Sequence, residues 1–371
     1  MKNGYLPIVL TATAFGLVAG MAGAIFTNVY SASERGSLAF NRELNLSNYG
    51  YLSPNLVIRD PKKVVVNQDV KTDETVRSLQ SSLLTVFLKD SNVNKYYDFK
   101  NPFALALAAT TDGWVMSLWP QSPSRQELAK AAAEYIVIDS NRKLYQVDLI
   151  VVAPEEMGDF VFMHLRSASG LNVRRLVPDA EIKTGQSLLL AAADNSFALN
   201  ALSSKAPTNS LASSDVYSQS LRLAYASESK SAFVFNLSGE IIGAIDRQGK
   251  WLASPELDAY WRSLLKSKTL AWPMFGVNYL NLSLVAGHPT WAEKGAILQD
   301  GETGSAVVKG GAAEKAGLKA GDIITRINGV EINADNDLAV LLSAYNPGDS
   351  VNVNYLRNGN SAQTEVVLGG K

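Results

Sequence analysis

Short runs of β-forming residues, each closed off by Gly, Pro, Asn, Asp or Ser, recur from residue 83 to residue 245, and this punctuation constrains the fold more than any other feature. The runs cover 83–88, 103–109, 135–138, 144–152, 160–165, 187–192, 232–236 and 240–245. Many short strands separated by turn residues predict a sandwich or barrels. Helical patterns are few: 73–82 leads in, 123–134 has an Ala-rich centre, and 255–266 closes the region. No internal repeat has a solenoid period.

The last hundred residues carry a second pattern. Trp272-Pro273-Met274-Phe275-Gly276-Val277 is followed by 304–308 and then by a short helical stretch at 312–316 that Gly317 stops. A turn at Ala320-Gly321-Asp322, a strand, and Asn328-Gly329 come next; Asn-Gly is strong hairpin chemistry. A second helix is expected at 335–344, before Asn346-Pro347-Gly348-Asp349. Alternating strands at 350–356 and 361–368 then flank the turn Arg357-Asn358-Gly359-Asn360.

At the other end, residues 6–26 contain no charge, close to the ~20 apolar residues a helix needs to cross a bilayer. The segment reads as a membrane anchor. A cleaved signal peptide is the rival, with Ser31-Ala32-Ser33 as small residues for a peptidase, but secretory apolar cores run only ~7 to 15 residues. Lys2 precedes the segment, and Arg35 and Arg42 follow it beside Glu34 and Glu43, so the positive-inside rule barely votes on orientation. Residues 30–72 are polar, with Pro54 and Pro61, and read as a linker with one short strand at 63–67.

Composition removes several chemistries. Lys+Arg 34 against Asp+Glu 35 gives a net charge of -1, and 47% of residues are hydrophobic, which fits neither a nucleic-acid coat nor a disordered chain. Cys 0 excludes disulfides and thiol nucleophiles. No P-loop, paired histidines or dinucleotide fingerprint occurs, so no cofactor, metal or nucleic-acid partner is expected. The only histidines are His164 and His288.

Residues 271–371 closely resemble a PDZ domain of the HtrA (Deg) protease type. The resemblance implies that Met274, Phe275, Gly276 and Val277 form a loop of backbone N–H groups for a peptide's C-terminal carboxylate, with the peptide added as a strand. Leu338, Leu341 and Leu342 are candidates for the far wall of that groove, or ordinary core. Residues 73–270 resemble the protease half of the same family, two β-barrels of the trypsin fold. Three stretches carry this: Thr111-Asp112-Gly113-Trp114-Val115-Met116-Ser117, the strand pair around 145–165, and Asn236-Leu237-Ser238-Gly239-Glu240-Ile241-Ile242-Gly243. The expected class is mainly β, a trypsin-like double barrel followed by an α+β PDZ domain, behind a transmembrane helix in residues 1–29.

Carried over position by position, the family's triad aspartate falls on Asp159, its histidine on Pro120 (Trp119 if the register slips by one), its nucleophile on Lys230, and its oxyanion-hole glycine on Glu228. The chymotrypsin-type order places histidine before aspartate, and no histidine precedes His164. The expectation is therefore a catalytically inactive, membrane-anchored scaffold or regulator that binds peptide or protein C-termini, with an active endopeptidase using a non-standard catalytic set as the alternative. Lys230 is expected to pair with Asp159, or else to point into solvent. By the same resemblance, the bulk is expected outside the cytoplasm, in a bacterial cell envelope, as a homo-oligomer or in association with active homologues.

Overall fold

A computed structural model describes residues 68–89, 96–119, 131–154, 157–192, 194, 196–226, 231–287, 292–301 and 304–370. All of them fall in one compact unit, Val66–Lys371. The expected anchor at 6–26 lies outside the described residues, among which no helix is long and apolar enough to cross a membrane.

The first half is a closed antiparallel barrel. Strands β1 (Leu83–Leu88), β2 (Ala104–Ala108), β3 (Trp114–Leu118), β4 (Tyr135–Ile138), β5 (Leu144–Val152) and β6 (Phe160–Leu165) close in the order β1-β2-β3-β6-β5-β4. β2 and β3 are buried along their whole length, which is why they read as unbroken apolar runs rather than alternating ones. On β6 the two-residue period separates two cores: Val161, Met163 and Leu165 fill the barrel, while Phe160 and Phe162 face the second half. Helix α1 (Gln68–Leu79) starts earlier than the expected 73–82 and ends on the buried Leu79. Its Thr75 hydroxyl donates to the Leu237 carbonyl at 2.7 Å, tying the helix to the second half. Of the expected helix at 123–134, residues 123–130 lie outside the described residues and Ala132–Glu134 form a single 3-10 turn.

The second half departs from the expected barrel. Strands β7 (Ser187–Ala192), β8 (Phe197–Pro207), β10 (Gln219–Leu223), β11 (Ala232–Asn236), β12 (Ile241–Ile245) and β13 (Trp251–Ala253) form a six-stranded sheet in the order β10-β8-β7-β11-β12-β13. Among the described residues its end strands, β10 and β13, do not pair, because the three-residue β13 passes straight into helix α2 (Ser254–Ser267). A seam is left between them. Between β8 and β10 the chain leaves this sheet to form β9 (Leu211–Ser213).

The C-terminal sheet runs β20-β19-β17-β16-β15-β9. It consists of β15 (Asn278–Asn281), β16 (Ala296–Leu298), β17 (Ile323–Ile327), β19 (Ser350–Arg357), β20 (Asn360–Val367) and the incoming β9, with β18 (Val330–Glu331) on β17, while β14 (Pro273–Met274) pairs β21 (Gly369–Gly370). Asn328-Gly329 and Asn358-Gly359 both take left-handed φ values (47° and 82°; 50° and 86°), as Asn-Gly hairpin turns require. Helix α3 (Ala312–Lys315) and helix α4 (Leu338–Leu342) cover the sheet. α4 is shorter than the expected 335–344 because the Asn333 carboxamide oxygen accepts from the N–H groups of Asp335 and Asn336, folding them into a turn. Arg262 on α2 donates to the carbonyls of Ser343 and Ala344, the latter at 2.8 Å, and Lys266 meets Asp349 at 3.2 Å, joining the two domains.

Glu256 sits in the first turn of α2, where its carboxylate accepts from the Ala253 N–H at 3.0 Å. Burial pushes its carboxyl up to about 7, against the opposing pull of the Ala253 N–H and Lys250. With the folded value above the ordinary 4.5, the stability contributed by the neutral acid is complete below about 4.5 and is lost as pH rises through about 7. Thermal unfolding of wild type and Glu256→Gln across this window should show the variant gaining on the order of 3 kcal/mol relative to wild type as pH rises. A difference that stays flat with pH contradicts this.

Candidate functional site

The loop between β14 and β15 is built around Gly276, whose φ of +86° is one that side-chain-bearing residues rarely adopt. That turn aims the N–H groups of Phe275, Gly276 and Val277 away from the core, while the Phe275 and Val277 side chains are fully buried in it. Acceptors come from the segment after β8. The Asp215 Oδ1 accepts from Phe275 and Gly276 N–H, both at 2.8 Å, and the Ser214 Oγ accepts from Val277 N–H at 3.0 Å. The Ser214 N–H in turn donates to the Val277 carbonyl at 2.9 Å. β9 continues this contact as an antiparallel strand on β15, with Ser213, Ala212 and Leu211 opposite Asn278, Tyr279 and Leu280. Of the residues expected to line a groove, Leu338 and Leu342 are buried in the domain core, Leu341 is half-buried at its margin, and Met274 packs on the core of the second half.

Two buried carboxylates fix the chain just before β10. Asp337 accepts from Ser218 Oγ at 2.7 Å, from Asn281 Nδ2 at 3.0 Å and from the Tyr279 hydroxyl. Asp179 accepts from Tyr217 OH at 2.5 Å and pairs with Lys205 at 2.7 Å. Burial first, and the adjacent carboxylate second, hold both phenols well above their ordinary range, so they remain donors.

In the barrel region Asp159 precedes β6, beside Gly158. Gly158 has φ +95°, and a Cβ there would sit 2.4 Å from Asp246 Oδ2, so the left-handed turn and the packing of the Asp246 carboxylate against it both favour glycine. The Asp159 carboxylate, 10% exposed, meets the Arg247 guanidinium at 3.4 Å. Sequence reasoning missed Arg247; its signal is a charged residue just past the apolar run 241–245. His164 lies near the far end of β6, about 16 Å from Asp159 at the usual strand rise. Its Nδ1 is 2.7 Å from Asp148, and its ring packs on Trp114 with centroids 5.2 Å apart. The structure therefore does not bring His164 to Asp159. Pro120, Glu228, Lys230 and His288 lie outside the described residues. The seam between β10 and β13 opens into a cleft of about 990 Å³, lined by Leu221, Leu223, Trp251, Tyr260 and Trp272, with Arg247 at its edge.

Comparison with known proteins bears on both domains. The PDZ domain family model matches residues 281–368. The chain is 41% identical over 71 residues to the periplasmic pH-dependent serine endoprotease DegQ of Escherichia coli, covering 19% of this chain and 16% of that one. It is 43% identical over 56 residues to the zinc metalloprotease RasP of Shouchella clausii (15% and 13%), and 32% identical over 148 residues to the serine protease Do-like HtrA of Bacillus subtilis (36% and 33%). The chain thus spans a third or less of the length of these relatives. The Bacillus match is longer than residues 271–371 and so takes in residues outside the PDZ domain. Among solved structures, the HtrA-type protease AlgW with decapeptide has a TM-score of 0.48 at 16% identity, covering 81% of this chain and 98% of that one. These relatives correct the expectation that the chain is no enzyme: the DegQ and HtrA sequences it matches are named serine endoprotease and serine protease. The chain thus carries a PDZ domain and, over part of its length, is similar in sequence to the serine proteases DegQ and HtrA.

Proposed function

We propose that the protein is an HtrA-like protease-fold protein that captures extended peptide or protein ends along β15 of its PDZ domain and acts as a binding scaffold or regulator. The observation that carries this reading is a carboxylate seated on two consecutive N–H groups, those of Phe275 and Gly276, at the head of an antiparallel added strand. Strand addition supplies main-chain affinity and the loop selects a negative end. The uncharged run at 6–26 supports a membrane tether, with the bulk outside the cytoplasm.

Fluorescence anisotropy with the full-length chain in detergent tests the groove. A peptide with a free C-terminal carboxylate should bind at least about tenfold tighter than its C-terminal amide, since a charged acceptor contributes more than a neutral one. Gly276→Val should abolish the difference by closing the left-handed turn. Equal binding of acid and amide would sink the reading. The tether is tested by fractionation: the chain should leave membranes with detergent and not with alkaline carbonate.

A second reading, peptide hydrolysis by the body, is favoured by the relatives named as serine endoproteases. With His164 held by Asp148, it would run on a catalytic set other than the family's triad. Casein cleavage by the full-length chain that falls at least tenfold in Asp159→Asn is the expected result; cleavage indifferent to Asp159 removes that residue from the set, and no cleavage ends this second reading.

A further inference from the structure

We propose that Leu211–Asp215 is a built-in ligand that keeps the PDZ groove shut, so that an outside peptide binds only by displacing it. The inference rests on the peptide-binding reading above. Every N–H of the loop from Phe275 to Val277 is already taken by this segment, two by the Asp215 carboxylate and one by the Ser214 hydroxyl. The edge of β15 is taken as well, by three residue pairs. The Ser214 N–H bonds back to the Val277 carbonyl and the Ser214 side chain is completely buried, so Ser214 stands where the last residue of a bound peptide would stand. Asp215 is one residue further on. Its side-chain carboxylate occupies the place that a peptide ending at Ser214 would fill with its own terminal carboxylate.

The segment is held in position from outside the groove. Downstream, Tyr217 on Asp179 and Ser218 on Asp337 anchor the chain in buried sites. Upstream, residues 207–210 are exposed and border a cleft of about 470 Å³ shared with Leu284 and Val285, which gives the strand room to lift while its anchors stay in place. The occupant's side chains are small along Ala212, Ser213 and Ser214, so its hold comes from main-chain bonds, the Ser214 hydroxyl and one carboxylate. The ligand class it mimics is a peptide ending in a small residue with a free carboxylate.

The test uses a fluorescein-labelled peptide ending in Leu-Ala-Ser-Ser with a free carboxylate, titrated against full-length wild type and Asp215→Ala, together with hydrogen exchange of the 275–281 amides in both. The expected result is binding at least tenfold tighter to Asp215→Ala, with faster exchange at residues 275–277 in the variant. Equal binding with unchanged exchange overturns the built-in ligand and leaves the peptide-binding reading standing. Faster exchange in the variant without binding by either protein supports occupation by the segment and overturns the peptide-binding reading. Unchanged exchange without binding overturns both.

Discussion

Three successive backbone N–H groups that point the same way cannot be left without acceptors when the loop that carries them is packed against protein. This is the constraint set by the turn at Gly276. The Phe275 and Val277 side chains are drawn into the core, and the N–H groups are turned outward as a consequence. Satisfying them pulls a carboxylate and a hydroxyl from a different domain, and with them a strand. That strand is the continuation of the sheet that builds the second half, so the order of β10-β8-β7 is tied to the PDZ loop through Asp215. Buried Asp337 and Asp179, each saturated by hydroxyl, amide or ammonium donors, convert this contact into a fixed connection.

The unclosed seam of the second half follows from the same chain path. After β8 the chain detours through β9 before returning as β10, and after β13 it turns at once into α2 under the cap made by Glu256. Neither end strand has residues to spare for the other. The cleft between them is therefore walled by side chains, aromatic on one side and aliphatic on the other, with the Asp159–Arg247 pair nearby. The Asp159 carboxylate, 10% exposed, faces a guanidinium rather than an imidazole. This differs from a triad aspartate, whose charge serves to orient a histidine.

Much of this architecture was legible because burial and turn chemistry are local signals. β1, β4, β5, β6, β7 and β11 begin and end where their apolar runs do, and the Asn-Gly turns at 328 and 358 sit where hairpin geometry demands left-handed φ. The resemblance singled out the loop 274–277, but the partner segment that sits on it was invisible in the sequence. Residues 197–223 are rich in Ala and Ser, which favour strands weakly, and they become β8, β9 and β10 only through neighbours far away in sequence. Ser214 and Asp215 read locally as turn residues. Their role depends on a contact some 60 residues away that no periodicity records. Asp159 was found by position, whereas Arg247, on a separate hairpin, had no pattern to join the two.

The small side chains of the occupying strand explain how such a contact can be firm yet reversible. A segment tethered at both ends acts at an effective concentration on the order of millimolar, so it fills its site even when its intrinsic affinity is poor. Its grip is limited to main-chain pairing and charge-assisted bonds worth about 1.5–3 kcal/mol net. An outside peptide can match each of these bonds and no more, because the same N–H groups serve both. What it can add is burial of a large apolar side chain, about 1.5–3 kcal/mol for a single Val, Leu or Phe, where Ala212, Ser213 and Ser214 offer only the Ala212 methyl. Competition is therefore settled by side chains rather than by backbone: a groove already filled by its own strand rejects peptides that offer only a carboxylate and admits those that also bring apolar surface.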